Sequence, residues 1–431
     1  MKLAHNLRRI GHLDLPGAGQ VTVHGRYAYI GHMPNPAQLG TTILDIMDPA
    51  HPRSVATISL TDTASHSHKV RVAGDLMIVN HERNSTAIGR RADEVPRMRR
   101  RLADVLGRAP THAELAEKLS VTEADIVELD KHAQRGYHHG GFTIYDVSKP
   151  ALPKEIVHHR TGGIGVHRFD MDDRYAYIST EMDGFIGNIL VIYDIRDPQH
   201  PTEISRWWIP GQHIANGEIP SWPGRQHRLH HALRYGDEMW ASCWHAGFSI
   251  LDVTELARPK CIGSFNYYPL FPEPTHTVRP LPINYNGQRI ALAIDEEDQP
   301  QSSDEEAARR GRPHACMLTL DVTDPSAIKP LAQFQVSELD SPFSRTPGTR
   351  FGAHQFAERT AGTLVYAAWF SGGLRIIDVA DPLAPKEVGW FVPEPVGRSA
   401  PQTNDVTLDD RGLIYIVDRN VGFDILQCSL N

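Results

Sequence analysis

The chain has 431 residues, 40% hydrophobic and 22% charged, a balance that excludes disorder over most of its length. Its 44 Lys+Arg against 52 Asp+Glu give a net charge of −8, which argues against a nucleic-acid-binding surface. Histidine is the outlier at 24 residues, and that excess points to metal ligation or proton chemistry.

The opening MKLAHNLRRIG has no apolar h-region, and no run approaches the roughly 18–20 apolar residues of a membrane helix. Cys243, Cys261, Cys316 and Cys428 form no CxxC pair and fit reduced core residues. A cytoplasmic protein without membrane association is therefore expected. LRRIGHLDL, Leu7–Leu15, reads as a lone strand. Two short β segments follow in QVTVHGRYAYIGH, then the phrase TTILDIMDP around Asp45, then RSVATISL. That phrase returns as FTIYDVSKP at Asp146, VIYDIRDP at Asp194, FSILDVTEL at Asp252, LTLDVTDP at Asp321 and LRIIDVADP at Asp378. It fades out as GFDILQ at Asp424, the seventh copy.

Four short strands per unit, at a spacing of roughly 50 residues, read as a β-propeller blade. The expected fold is all-β: one seven-bladed β-propeller over residues 1–431. The last unit, about 402–428, has three strands, so the N-terminal strand is expected to complete it and close the ring. The repeated Asp is expected to bond backbone amides of its own turn. Two insertions interrupt the pattern, each between the second and third strands of a blade. The larger, 84–140 in the second blade, reads as helical, with Thr111 and Glu114 forming a capping box and Thr122 starting a second helix with Asp125. The second, Asp295 to Arg312, is a mixed-charge loop in which Pro300 stands where an EF-hand needs Gly.

The tandem phrase resembles the LVIVD-repeat proteins over nearly the whole chain, which implies a propeller and little about activity. Within the helical insertion, LGRAPTHAELAEKLSVTEADI (Leu106–Ile126) resembles a helical segment of bacterial primary-type sigma factors. Arg97, Arg99, Arg100 and Arg101 lie nearby. Embedded in a blade of an acidic chain, the segment reads as a helical flap.

Aligning the units places His immediately before the innermost strand in five of them: His68, His167, His230, His276 and His354. Gly19 and Asn404 stand at the other two positions, and His231 competes with His230 by one residue. Innermost strands line the channel of a propeller, so these imidazoles are expected to converge on the axis. Neutral imidazoles aimed at one centre form a metal site, and imidazole suits Fe, Cu, Zn or Ni. Neighbouring strand ends offer His32, His81, Glu181, His245, Asp295, Glu296 and Asp418. Glu181 is the preferred carboxylate to fix a ligand tautomer. His138 and His139 return from the insertion toward this face, and Trp244, Trp369 and Phe370 are candidate pocket walls. There is no G-x-S-x-G elbow, P-loop or G-x-G-x-x-G.

The site logic is similar to that of carotenoid cleavage oxygenases and of the selenium-binding/methanethiol oxidase family, which implies functional metal on inner-strand histidines. The expectation is a metal-dependent oxidoreductase, oxygenase-like, acting on a small organic substrate. Its divalent metal is most simply Fe(II), with Cu, Mn or Zn as alternatives. His167, His230, His276 and His354 hold it, His68 is a fifth ligand or proton shuttle, and His231 is a candidate base. The alternatives are a Mn- or Zn-dependent lyase or hydrolase, or a non-catalytic propeller scaffold. No nucleic-acid partner is expected, and a homo-oligomer is compatible with the sequence.

Overall fold

The computed structural model describes residues 3–61, 64–84, 95, 98–99, 102–103, 105–119, 121–135, 137–222, 226–298, 312–346, 349–397 and 399–430. Its antiparallel strands run through the units in the order the repeats suggest. Ala18–His24, Tyr27–His32, Leu39–Asp45 and Arg53–Ser59 make the first sheet. Third strands such as Ile189–Asp194 (ILVIYD) are buried along nearly their whole length, because neighbouring sheets cover both faces. Outermost strands such as Arg53–Ser59 reach solvent and carry the polar residues.

Where seven separate blades were expected, the described residues form six hydrogen-bonded sheets, and the second and third units share a nine-stranded one. The join is a single pair, Gly165 with Glu82. It depends on glycine. Gly165 has φ +89°, and a Cβ there would lie 2.3 Å from the His81 carbonyl oxygen and 2.7 Å from the Gly140 Cα. At the chain ends, Leu7–Leu13 pairs antiparallel with Gly422–Cys428. Ala4–His5 reaches further, adding a strand to Lys386–Phe391 of the neighbouring sheet.

The repeated aspartates behave as expected of turn residues. Asp45, Asp146, Asp194, Asp252, Asp321 and Asp378 each accept the amide two residues on, at 2.8–3.0 Å. Asp424 differs: it sits inside Gly422–Cys428, where His12 Nδ1 donates to it at 2.7 Å. A feature unseen in the sequence accompanies the turns. Opposite each third strand, one aliphatic residue of the outer strand is skipped by the register: Val55, Ile156, Ile204, Ile262, Leu331 and Val388. Ile10 is skipped in the same way in the N-terminal strand. Such bulges bend the outer strand and raise its twist.

The apolar core lies between sheets. Leu292, Ile294 and Met317 of one sheet pack with Phe356, Val365 and Trp369 of the next. The first and last sheets also share a cluster, Ala18, Val21, Ile30 and Leu44 against Tyr415, Val417, Phe423 and Ile425. Between Leu76–Arg83 and Gly141–Asp146 the described residues include the helices His112–Leu119 and Glu123–Arg135. Both begin with reciprocal caps: the Glu114 amide donates to Thr111 Oγ1 and the Thr111 amide to Glu114 Oε2, and Thr122 and Asp125 repeat the pattern. Val95, Leu115, Ala116, Ile126 and Leu129 give the helices their own small core. Arg99 is tied to Asp130 at 2.5 Å, while Arg97, Arg100 and Arg101 lie outside the described residues. So does most of the mixed-charge loop, including Pro300. Among the described residues no helix is long and apolar enough to cross a membrane.

Candidate metal centre

The innermost strands bring the five aligned histidines side by side. Ring centroids are 5.4 Å apart from His68 to His167 and 4.7 Å from His167 to His230. They are 4.0 Å apart from His230 to His276 and 4.3 Å from His276 to His354. The remaining two positions continue the row with hydrogen bonds: His354 Nδ1 meets the Asn404 carbonyl, and the Asn404 amide donates to the Gly19 carbonyl. A Cβ at Gly19 would be crowded, standing 3.0 Å from both the Cβ and the carbonyl oxygen of His68. His230 is the ring member of its unit. His231, one residue further along the strand, is fully buried one layer deeper, with Nε2 3.7 Å from Glu358 Oε1.

Four of these rings are oriented through Nδ1. His230 Nδ1 donates to the His276 carbonyl at 2.9 Å and also faces His231 Nδ1. His354 Nδ1 donates to Asn404 O, His276 Nδ1 to Gln355 Oε1 at 3.0 Å, and His167 Nδ1 to Glu82 Oε2 at 2.9 Å. A neutral imidazole that donates from Nδ1 carries its lone pair on Nε2. Burial pushes His68, His230, His276 and His354 well below the ordinary histidine pKa, with neighbouring positive charges adding to it. For His167 burial also prevails, although Glu82 opposes it. The ring is therefore a set of neutral nitrogen donors. Outward acceptors fix their tautomers, as they do for metal-ligating histidines.

Two carboxylates stand against the ring, on different sides of the imidazoles. Glu82 lies between His167 and His66, whose Nε2 is 3.3 Å away, and 3.9 Å from His68 Nδ1. Burial would raise its carboxyl, but the His167 and His66 rings hold it well below the carboxylate range. Glu296 lies on the Nε2 side, with Oε2 3.9 Å from His276 Nε2 and Oε1 3.7 Å from His354 Nε2. Arg350 donates to its Oε1 at 2.8 Å. Ligand atoms of His230, His276 and Glu296 all lie within 4.8 Å of one another. Glu181, the carboxylate preferred from sequence, accepts the Ile164 amide at 3.0 Å.

Aromatic residues brace two of the rings from strained turns. Trp244 stacks on His230 at 5.1 Å and Phe370 on His354 at 4.6 Å. Both have positive φ, +56° and +34°, a backbone cost that persists only where the surroundings enforce it. Trp369 instead belongs to the apolar core.

One layer below the ring the same strands carry charge. Arg168 donates to Glu358 Oε1 at 2.5 Å, Arg71 also bonds Glu358, and Gln355 Nε2 donates to it at 2.9 Å. Arg359 reaches Asp170 at 2.7 Å, and the Val21 amide donates to Asp405 Oδ2 at 3.1 Å.

The other strand-end residues are divided among structural roles. His32 is held by Pro16 O and Thr42 Oγ1, each at 2.8 Å. Asp295 accepts from Tyr267 Oη at 2.5 Å, and burial pushes its carboxyl up to about 7. Asp418 accepts from Thr403 Oγ1, and burial pushes it to about 6. His138 is exposed. His139 rests on His81 and His158, at 4.7 and 4.4 Å between centroids. Glu82 was missed because strand alternation separates it from His81: a position read as one depth in sequence is two faces in the fold.

The LVIVD repeat model matches residues 17–58, 172–207 and 361–392, so the chain carries LVIVD repeats. No curated protein matches it. Among solved structures it is similar to the periplasmic gluconolactonase PpgL of Pseudomonas aeruginosa. That match has a TM-score of 0.54 at 8% identity, covering 91% of this chain and 88% of that one. It is also similar to the C-terminal WD40 domain of Sif2, with a TM-score of 0.53 at 8% identity over 98% and 99% of the two chains. A third likeness is to U3-55K, with a TM-score of 0.53 at 7% identity over 97% and 98%. At these identities the likeness shows the propeller fold alone, a fold shared by enzymes and scaffolds.

Proposed function

We propose that the chain is a metal-dependent oxidoreductase whose metal sits on the axis of a closed, seven-bladed propeller. The seventh blade is counted by treating the nine-stranded sheet as two and by letting Leu7–Leu13 close the ring. The skipped aliphatic residue that recurs in each outer strand, from Ile10 to Val388, supports that count. His230, His276 and Glu296 form the core of the metal site, with His354 and His167 flanking it. The observation that carries this reading is the shared orientation of four imidazoles, three buried and His167 half-buried, each tied through Nδ1.

Two imidazoles and one carboxylate with open positions suit non-haem Fe(II), which supplies O2 chemistry when bound. The chain's own groups would do the rest. Trp244 and Phe370 fix the rings they stack on, and Arg350 holds the Glu296 carboxylate in place. His68, beside His66 and Glu82, is placed to pass a proton, and the buried His231 is a second base candidate. A small organic substrate is the corresponding partner. The same proton relay would also serve Mn or Zn acting as a Lewis acid in a lyase or hydrolase.

Metal analysis of the purified full chain, with O2 uptake measured after anaerobic loading with Fe(II), tests this. One axial equivalent of iron and O2 consumption are expected, both lost in the His276→Ala/His354→Ala variant. Zn or Mn without O2 uptake favours the Lewis-acid reading. Failure of the full chain to bind metal, with the double variant behaving identically, overturns both.

A further inference from the structure

A second histidine cluster lies away from the axis. His81 belongs to Leu76–Arg83, His158 to Lys154–Arg160, and His139 stands where the chain re-enters the sheet from the helical insertion. Ligand atoms of the three lie within 4.8 Å of one another. Together they line a cavity of about 680 Å³, closed on the other side by Thr57, Ser59 and Leu60 of the first unit.

The hydrogen bonds of this cluster leave two nitrogens over. The Thr143 hydroxyl lies 2.8 Å from His81 Nε2 and 2.9 Å from His158 Nδ1, so one side chain orients both imidazoles through one nitrogen each. The opposite nitrogens, Nδ1 of His81 and Nε2 of His158, are buried and have no hydrogen-bond partner among the described residues. His81 is 7% exposed, and a nitrogen so buried is destabilising while it has no partner. His139 stacks on His158 at 4.4 Å with the planes 6° apart, and meets His81 edge-on. Burial and the neighbouring imidazoles favour the neutral form of His81 and His158, which exposes lone pairs and offers few donors.

We propose that His81, His139 and His158 form a second metal site, a three-histidine Zn2+ site with its fourth position open to the cavity. Three imidazoles with one free position are a ligand set that zinc takes. No thiolate belongs to the cluster, so soft-metal selectivity is not built in. Thr143 supplies the outer bond that such ligands receive, here shared between two of them. The site lies in the sheet rather than on the axis, and it does not depend on the axial metal being present.

The test is titration of the chelator-stripped full chain with Zn2+ alone, followed by stoichiometry and Co2+ substitution spectra. Wild type is expected to bind one more equivalent than His139→Gln or His158→Gln, and each variant is expected to lose the intense tetrahedral Co2+ bands. His139 is only half-buried, so its variant decides the matter if His158→Gln folds poorly. The His276→Ala/His354→Ala chain should keep this equivalent, whether or not it loses another on the axis. Wild-type Zn2+ stoichiometry and unchanged Co2+ bands in His139→Gln would overturn the site.

Discussion

The two layers carried by the innermost strands differ in how their polar groups are met. In Gly162–Met171, His167 joins the ring while Arg168, the next residue, pairs with Glu358, and Asp170 pairs with Arg359. In the lower layer each of these charges has an opposite charge in the protein, although Nε and Nη1 of Arg168 and Nε of Arg71 have no hydrogen-bond partner among the described residues. The upper layer is satisfied on its outer side only, with Nδ1 tied to carbonyls and carboxylates while Nε2 faces Glu296 and the axis. Charges matched by opposite charges hold a fold together. Neutral lone pairs facing a common centre are prepared for something that arrives.

The largest expected effect separates the layers outright. His276→Ala with His354→Ala should abolish axial metal binding and any O2 uptake while the chain stays folded by circular dichroism, because the lower layer is untouched. Glu358→Ala should do the reverse. It strands the buried Arg168 and the half-buried Arg71, so the denaturant midpoint should fall by the equivalent of about 3–5 kcal/mol, with metal stoichiometry retained below the transition. If the same variant removed the metal at full stability, the division of roles would be wrong.

A smaller effect tests the outward bonds of the upper layer. Glu82→Gln keeps the shape but weakens the acceptor for His167, and about 10–100-fold in metal affinity is the expected loss, read by competition with a chelator. Unchanged affinity would assign Glu82 a purely structural role.

The smallest effect concerns a histidine outside both layers. Burial would lower the pKa of His314, but Glu297 and Glu338 on its two nitrogens outweigh it and raise it to about 9. A raised folded pKa means stability that is present in full below the unfolded value and lost as pH rises through about 9. Urea midpoints of wild type should therefore fall between pH 6 and pH 9.5 more than those of His314→Gln. Equal slopes would remove His314 from the pH response.

Much of this was legible in the sequence, and the limits have physical causes. Repeated phrases ending in Asp146 or Asp321 announced both the strands and their turns, because a turn needs its amide acceptor at a fixed offset. Alignment of those phrases also brought His68, His167, His230, His276 and His354 to one level, since equivalent positions in a propeller share a radius. The merging of two sheets through Gly165 was invisible, because backbone approach depends on space around a glycine and not on periodicity. Glu82 and Glu358 were missed for a related reason. The first is set by which face of its strand turns inward, and the second lies just past the short strand Gln355–Phe356, outside the aligned repeat. The return of the insertion at His139 was legible, but its packing on His81 and His158 was not, because it depends on which side chains of the neighbouring strands face it.

The most direct test of the axial site is a crystal of the Fe(II)-loaded full chain, with anomalous scattering recorded on both sides of the iron edge. An iron peak is expected on the axis, at ligand distance of about 2.0–2.2 Å from His230 Nε2, His276 Nε2 and a Glu296 oxygen. A fully loaded chain with no iron peak there, and with the ring nitrogens hydrogen-bonded only to water and to one another, would contradict it.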